Sequence, residues 1–205
     1  MTFFLEGLLF GLILAVSLGP IFIALTQTSI EKGILPGLTV GSGIWISDIL
    51  FVFFFYNFIK TVKSTIESEF FIFWMGMSGA LVLLAFGLVL LITKPKLEYI
   101  ETKLRKRNYV GFWLKGFLIN TINPFTFVFW MGVISTYVIG RQIDGTQSAI
   151  LLITILVVIV LSDMGKVYLA NHLKKWLTPK HVNQISNFSG VILILFGLFL
   201  AFRVV

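Results

Sequence analysis

Six apolar stretches, each near the ~20 residues that cross a bilayer as helix, alternate with short polar segments along the chain. They run from about Phe3 to Ile30, Gly37 to Ile59, Phe70 to Thr93, Tyr109 to Ile139, Ser148 to Ala170 and Ile185 to Phe202. The connections are brief: Glu31 to Pro36, Lys60 to Glu69, Arg141 to Gln147 and Asn171 to Asn183, with a longer basic one from Lys94 to Asn108. The pattern predicts an all-α integral membrane protein with six transmembrane helices.

Two of the six stretches are interrupted. Ser17-Leu-Gly-Pro20 sits inside the first, and Asn120, Thr121, Asn123 and Pro124 sit inside the fourth. Proline lacks a backbone N–H and drives the residue before it out of helical geometry. Asn is a favoured N-cap and Pro a favoured first helical residue. Helices 1 and 4 are therefore expected to break at Gly19-Pro20 and Asn123-Pro124, and each proline to open a second half-helix within the bilayer. Such broken helices line the central site of many transporters.

Composition agrees with the pattern. The chain has 205 residues, 58% hydrophobic and 12% charged, with a mean hydropathy of +0.99. No soluble domain buries that much apolar surface. The length suits a single transmembrane domain over residues 1–205. The absence of cysteine excludes disulfides and thiolate chemistry. The first stretch lacks a basic leader and a small-residue cleavage site, so it is expected to stay as a span and not to be removed as a signal peptide.

Most of the lysine and arginine falls on one side of the alternating spans: Lys32, the cluster from Lys94 to Lys115, and the group from Lys166 to Lys180. That side is expected to be cytoplasmic, so both termini lie outside and the loop 94–108 inside. Leu97, Ile100 and Leu104 give this loop helical spacing, and it reads as a surface helix on anionic lipid. A basic chain of this kind predicts contact with the bilayer and no nucleic-acid partner.

The spans divide into halves of three, about 1–93 and 109–205, joined by the basic connector 94–108. Because three is odd, equivalent halves must insert in opposite senses. Each half opens with a proline-broken helix, and each carries one acid deep in its second helix, Asp48 and Asp163. Two inverted three-helix repeats are the expected architecture.

This arrangement would bring two half-helix amino ends near the midplane, each with unpaired N–H groups and about half a positive charge. Together they would form an electropositive pocket for a carboxylate, with Ser17, Gly19, Pro20, Asn120, Asn123 and Pro124 as its binding residues. The alternative is a pair of packing kinks. A carboxylate inside a span costs ~2.5–3.5 kcal/mol on insertion scales, so Asp48 and Asp163 are candidates for carrying a coupling proton. Asp163 has a second explanation, since Lys166 stands three residues along on the same helical face. Asp48 has no such neighbour and could also grip a substrate ammonium.

Other polar positions read more plainly. Gln27 and Thr28 fit interfacial polarity or an entry path, and Asn187 and Ser189 fit interhelical hydrogen bonds. Gly7/Gly11, Gly37/Gly41, Gly43 and Gly76/Gly79 are expected to let helices approach within one chain, a homodimer being their other use. The tryptophans include interface anchors. His172 and His181 fall outside the spans, and no hydrolase, P-loop or cofactor motif occurs. A non-enzyme without cofactor or metal is expected.

The residues Ser17-Leu-Gly-Pro20, Thr26-Gln-Thr-Ser29, the glycine-rich second helix ending at Asp48, and Lys115 to Pro124 followed by Phe129-Trp130 resemble the LysE-type lysine/threonine exporter family of bacteria. The resemblance spans nearly the whole chain, with the Asn-Pro segment as its most specific part. It implies a proton-driven exporter of amino acids or related metabolites in the inner membrane, with Gly19-Pro20 and Asn120/Asn123-Pro124 at the central site. Leu18 stands where many members have proline, and Ile21-Phe22 where others have Gln-Asn. The rival readings are a divalent-cation exporter of the same superfamily, disfavoured by the lack of soft intramembrane ligands, and a non-transporting membrane scaffold.

Overall fold

The computed structural model describes residues 1–16, 19–61, 69–93, 108–172 and 179–204, and these form helices and no strand. Ser17 and the surface helix expected within 94–108 lie outside the described residues, apart from Asn108. The helices are α1 (Thr2–Val16), α2 (Pro20–Lys32), α3 (Ile34–Thr61), α4 (Glu69–Ile92), α5 (Tyr109–Ile122), α6 (Pro124–Gly132, continued by a π-helical segment Val133–Ile139), α7 (Gly145–His172) and α8 (Pro179–Val204). Two, Ile34–Phe58 and Gly145–His172, are long and apolar enough to cross a membrane, and the bent pairs α1–α2 and α5–α6 would each make one more. Gly76–Ile92 and Ser186–Phe202 are shorter apolar helices.

Both expected breaks are present, and proline chemistry explains them. Gly19 and Asn123 are extended, at φ −134°, ψ −158° and φ −71°, ψ 112°, as the residue before proline must be. The chain bends by 68° between α1 and α2 and by 62° between α5 and α6. Asn123 closes one half-helix and opens the next: its N–H donates to Asn120 O at 3.1 Å, and its Oδ1 accepts from Phe125 N at 3.1 Å. Gly19 offers α2 no side-chain cap.

Two connections are shorter than the hydrophobicity pattern implied. The expected turn from Glu31 to Pro36 contracts to Gly33, whose φ of +97° only glycine adopts readily. Pro36 falls in the first turn of α3, where a missing N–H costs no helical bond. Helix α7 starts three residues before Ser148 because Asp144 and Gln147 cap it reciprocally. Gln147 N donates to Asp144 Oδ1 at 2.8 Å, and Asp144 N donates to Gln147 Oε1 at 3.3 Å.

The principal packing pairs are α4 with α8, α3 with α5 and α1 with α7, while α2 lies against both α3 and α7. Glycines set the closest approaches, within the chain as expected. A Cβ on Gly116 would land on the Val40 carbonyl oxygen, and one on Gly43 on that of Trp113. Gly87 and Gly190 face each other's carbonyls in the same way across α4 and α8. Ser29 Oγ donates to Val167 O at 2.6 Å, and Ser47 and Thr121 share a hydroxyl bond at 2.9 Å. In α8 Ser186 donates across to Leu90 O at 3.0 Å, while Asn187 is exposed.

Apolar side chains are exposed all around the outside, Phe53, Ile153, Leu161 and Phe199 among them. An aqueous protein does not present so continuous an apolar surface. Glu6 and Arg141 meet at one end of the bundle, 2.8 Å apart, and the Glu6 hydrogen bond holds the Arg141 guanidinium above its ordinary value. At the other end Lys115 Nζ donates to Thr28 Oγ1 at 3.2 Å, and Gln27 Nε2 to Glu31 Oε1 at 2.9 Å. Exposed as it is, the Glu6–Arg141 pair stabilises little. Glu6→Gln is therefore expected to leave the thermal midpoint of the purified protein within a few degrees of wild type.

Candidate functional site

The two breaks meet at one small cavity. Its volume is about 20 Å³, and its walls include Gly19 and Ile21 from the first break, Asn120, Asn123 and Thr126 from the second, and Asp48, Asp163 and Lys166. Helices α3 and α7 supply the acids because each passes beside a broken helix, α3 beside α5 and α7 beside α1. The space holds about one water molecule and no amino acid. The walls are nonetheless the polar heart of the protein: Asn120 and Thr126 are fully buried, and Asp48 is 1% and Asp163 2% exposed.

The two carboxylates are held differently. Asp163 Oδ1 accepts from Lys166 Nζ at 2.9 Å, and its Oδ2 accepts from Trp45 Nε1 at 3.1 Å. It is a buried, charge-paired group, the second explanation foreseen for it. Among the described residues Asp48 has no cationic partner. Asn120 Nδ2 and Trp130 Nε1 each donate to its Oδ1 at 2.9 Å. Asn120 is fixed in turn, its Nδ2 also donating to Ile44 O at 3.1 Å and its Oδ1 accepting from Thr126 Oγ1 at 3.0 Å. An aspartate held only by neutral donors in a dry interior is costly, and it is the natural acceptor of a proton or a cationic group.

The expected electropositive pocket is thus modified. The half-helix amino ends do converge, but Asn123 caps one of them, and two carboxylates stand in the same cavity. The partial positive charge of helix N-termini favours such anions. Gly19, Asn120, Asn123, Asp48 and Asp163 come together here. Pro20 lines a larger neighbouring groove of about 460 Å³, half-open and mostly apolar, with the exposed side chains of Leu12, Ile13 and Phe196 and the buried Leu193. Pro124 lines a third of about 220 Å³, with Thr121 and Phe127. Gly19, Asn123 and Phe125 belong to both the smallest and the largest cavity, so these two adjoin.

Two members of the site, Trp130 and Trp45, escaped sequence reasoning. Trp130, fully buried, is a donor to Asp48 and no interface anchor. Trp45 likewise serves Asp163. Lys166, counted above as a cation of the cytoplasmic side, turns inward with 14% of its side chain exposed. No group of three or more His, Cys, Asp or Glu suited to a metal ion occurs among the described residues.

A sequence profile for the LysE type translocators matches residues 12–203. The chain belongs to this family. The LysE-type chain is also 23% identical, over 206 residues, to a protein of Bacillus subtilis (strain 168) named "Putative amino acid efflux protein YcgF". That match covers 99% of this chain and 97% of that protein. No solved structure matches. Membership in the family agrees with the apolar exterior: this is a membrane protein of a translocator family, with a broken-helix site inside it.

Within that site Trp130→Phe tests the hydrogen bond to Asp48. The ring is kept and the donor lost, at about 1.5–3 kcal/mol for a bond to a charged group. We expect a folded protein whose transport falls roughly tenfold, measured as initial flux per reconstituted protein. Unchanged flux would mean that the Asp48–Trp130 bond has no part in transport.

Proposed function

We propose that the protein is a secondary-active exporter of amino acids or related small zwitterionic or carboxylate-bearing metabolites across the bacterial inner membrane, coupled to protons. The observation that carries this reading is the small cavity that joins both helix breaks to Asp48, an acid with no cationic partner among the described residues. Asp48 takes up the coupling proton. Asp163, tied to Lys166, contributes to coupling through that pair. The half-helix openings at Ser17, Gly19, Pro20, Asn123 and Pro124 receive the substrate carboxylate, and Asn120 orients it.

The transport cycle follows from six spans in two inverted repeats, with both termini outside and residues 94–108 facing the cytoplasm. Packing supports this arrangement. The first half-helix of each half lies on the second span of the other half, α1 on α7 and α5 on α3, and the third spans α4 and α8 pair together. A two-fold axis in the membrane plane produces such a pattern. Glu6 meets Arg141, and Thr28 meets Lys115, at opposite ends, in keeping with the expected topology. The narrow cavity then belongs to a closed state, and rocking of one half against the other would open it to either side.

The test is counterflow in proteoliposomes, with each labelled amino acid outside and excess unlabelled compound inside. We expect accumulation of one or a few amino acids, absent from protein-free vesicles. Absence of accumulation for every amino acid would overturn the export reading and favour a scaffold.

A further inference from the structure

We propose that Lys166 and Asp48 are the two poles of a zwitterion site: Lys166 holds the carboxylate of a neutral amino acid, and Asp48 holds its ammonium in exchange for a proton. This rests on the export reading and names its substrate class. The argument is an inventory of charge in the central cavity. Three ionisable side chains line it, Asp48, Asp163 and Lys166. The other lining residues, from α1, α2, α5 and α6, carry none that titrates.

Asp163 and Lys166 neutralise each other at 2.9 Å, which leaves the cavity one carboxylate in excess. Both hydrogen bonds to Asp48 fall on Oδ1, so Oδ2 is the atom open to a ligand. A single positive group satisfies it, and a proton and an ammonium exclude each other there. Lys166 lines the same cavity as Gly19 and Ile21, at the start of α2, which has no side-chain cap. Its ammonium can accept a second carboxylate without giving up Asp163, since it has three donors.

The cavity therefore places a negative and a positive partner on one lining, and its volume of about 20 Å³ must widen, as the two halves rock, to admit the charged head of an α-amino acid. The adjoining half-open groove of about 460 Å³ falls within the size range of small-molecule pockets and has room for the remainder of the molecule. Its wall is largely apolar, so the side chain it suits is uncharged.

The experiment uses the purified full-length protein and isothermal titration calorimetry with alanine, threonine, leucine and phenylalanine in turn. Leucine is compared with isoamylamine, which lacks its carboxylate, and isocaproate, which lacks its ammonium. At least one neutral amino acid is expected to bind. Where leucine binds, each half-analogue should bind at least roughly 100-fold more weakly, because a polar partner is left unpaired. Binding should weaken as pH falls and the proton occupies Asp48, and it should release protons, seen as a dependence of the heat on the buffer. The double variant Asp163→Asn/Lys166→Gln keeps the pair neutral and should lower the preference for leucine over isoamylamine by tenfold or more. If isoamylamine rivals leucine in the wild type, or the double variant keeps the preference, Lys166 is not the anchor. If isocaproate rivals leucine, or Asp48→Asn retains the pH dependence, Asp48 does not hold the ammonium. Binding without counterflow would sink the export reading and leave this site standing, whereas no binding by any of the four sinks the site.

Discussion

Asp48→Asn is expected to cut proton-driven export by roughly 10–100-fold while the protein stays folded. The carboxamide keeps the shape of the side chain and an oxygen for Asn120 and Trp130, which now donate at 2.9 Å to Oδ1. What disappears is the charge. Hydrogen bonds to charged groups contribute about 1.5–3 kcal/mol each, which corresponds to that range of rates or affinities. Removing an isolated buried charge also relieves its desolvation cost, so the thermal midpoint should hold or rise. That opposite movement of stability and transport marks a site retained for function. Reconstituted variant and wild type, compared for flux under an inward proton gradient, give the measurement. Equal flux would remove Asp48 from the mechanism.

Gly116→Leu is expected to lower the melting temperature by roughly 6–12 °C, or to abolish folded protein. Extra volume in a packed interior costs about 1–3 kcal/mol when side chains can adjust. Here the new Cβ meets the backbone carbonyl of Val40, which cannot rotate away, so the upper end applies. About 3 kcal/mol in a chain of this size gives a shift of that order. The reason is geometric: α3 and α5 approach through Gly43 and Gly116, and the same approach carries Asn120 to Asp48. Gly165→Ala is the control, since nothing lies within 4 Å of its added Cβ, and it should melt with the wild type. A Gly116→Leu protein as stable as wild type would refute the α3–α5 contact.

What the sequence disclosed was what local chemistry determines. Pro20 and Pro124 lack an N–H whatever surrounds them, so both breaks were readable, and Asn123 was readable as a cap. Asp48 and Asp163 stood out because a carboxylate within an apolar stretch needs a reason. The partner of Asp163 was readable because Lys166 is three residues away. The partner of Asp48 was not. Trp130 lies 82 positions along the chain, and in a sequence with 5 tryptophans and 22 phenylalanines one buried indole has no local mark. Only the crossing of α3 and α6 makes it a donor. Lys166 was readable as the neighbour of Asp163 and was also counted with the cytoplasmic cations; that it lines the cavity depends on the broken helix packed beside it.

The convergence of the two breaks was likewise an inference from symmetry, and the acidic character of the space between them was hidden. Charge in the cavity is a sum over α3 and α7, which no single stretch reveals. Helix ends suggested an anion site; Asp48, with neutral donors among the described residues, adds a negative group to the same lining, which we read as a cation site. A zwitterion meets both requirements, which is how the two readings reconcile.

The most direct measurement of the central claim follows protons and amino acid together. Vesicles containing the protein and a lumenal pH-sensitive dye are loaded with the amino acid that counterflow selects, then diluted into amino-acid-free buffer of the same pH. The account predicts that the lumen acidifies as the amino acid leaves, and that Asp48→Asn vesicles show no such change. Efflux of the amino acid with lumenal pH unmoved in the wild type would contradict it.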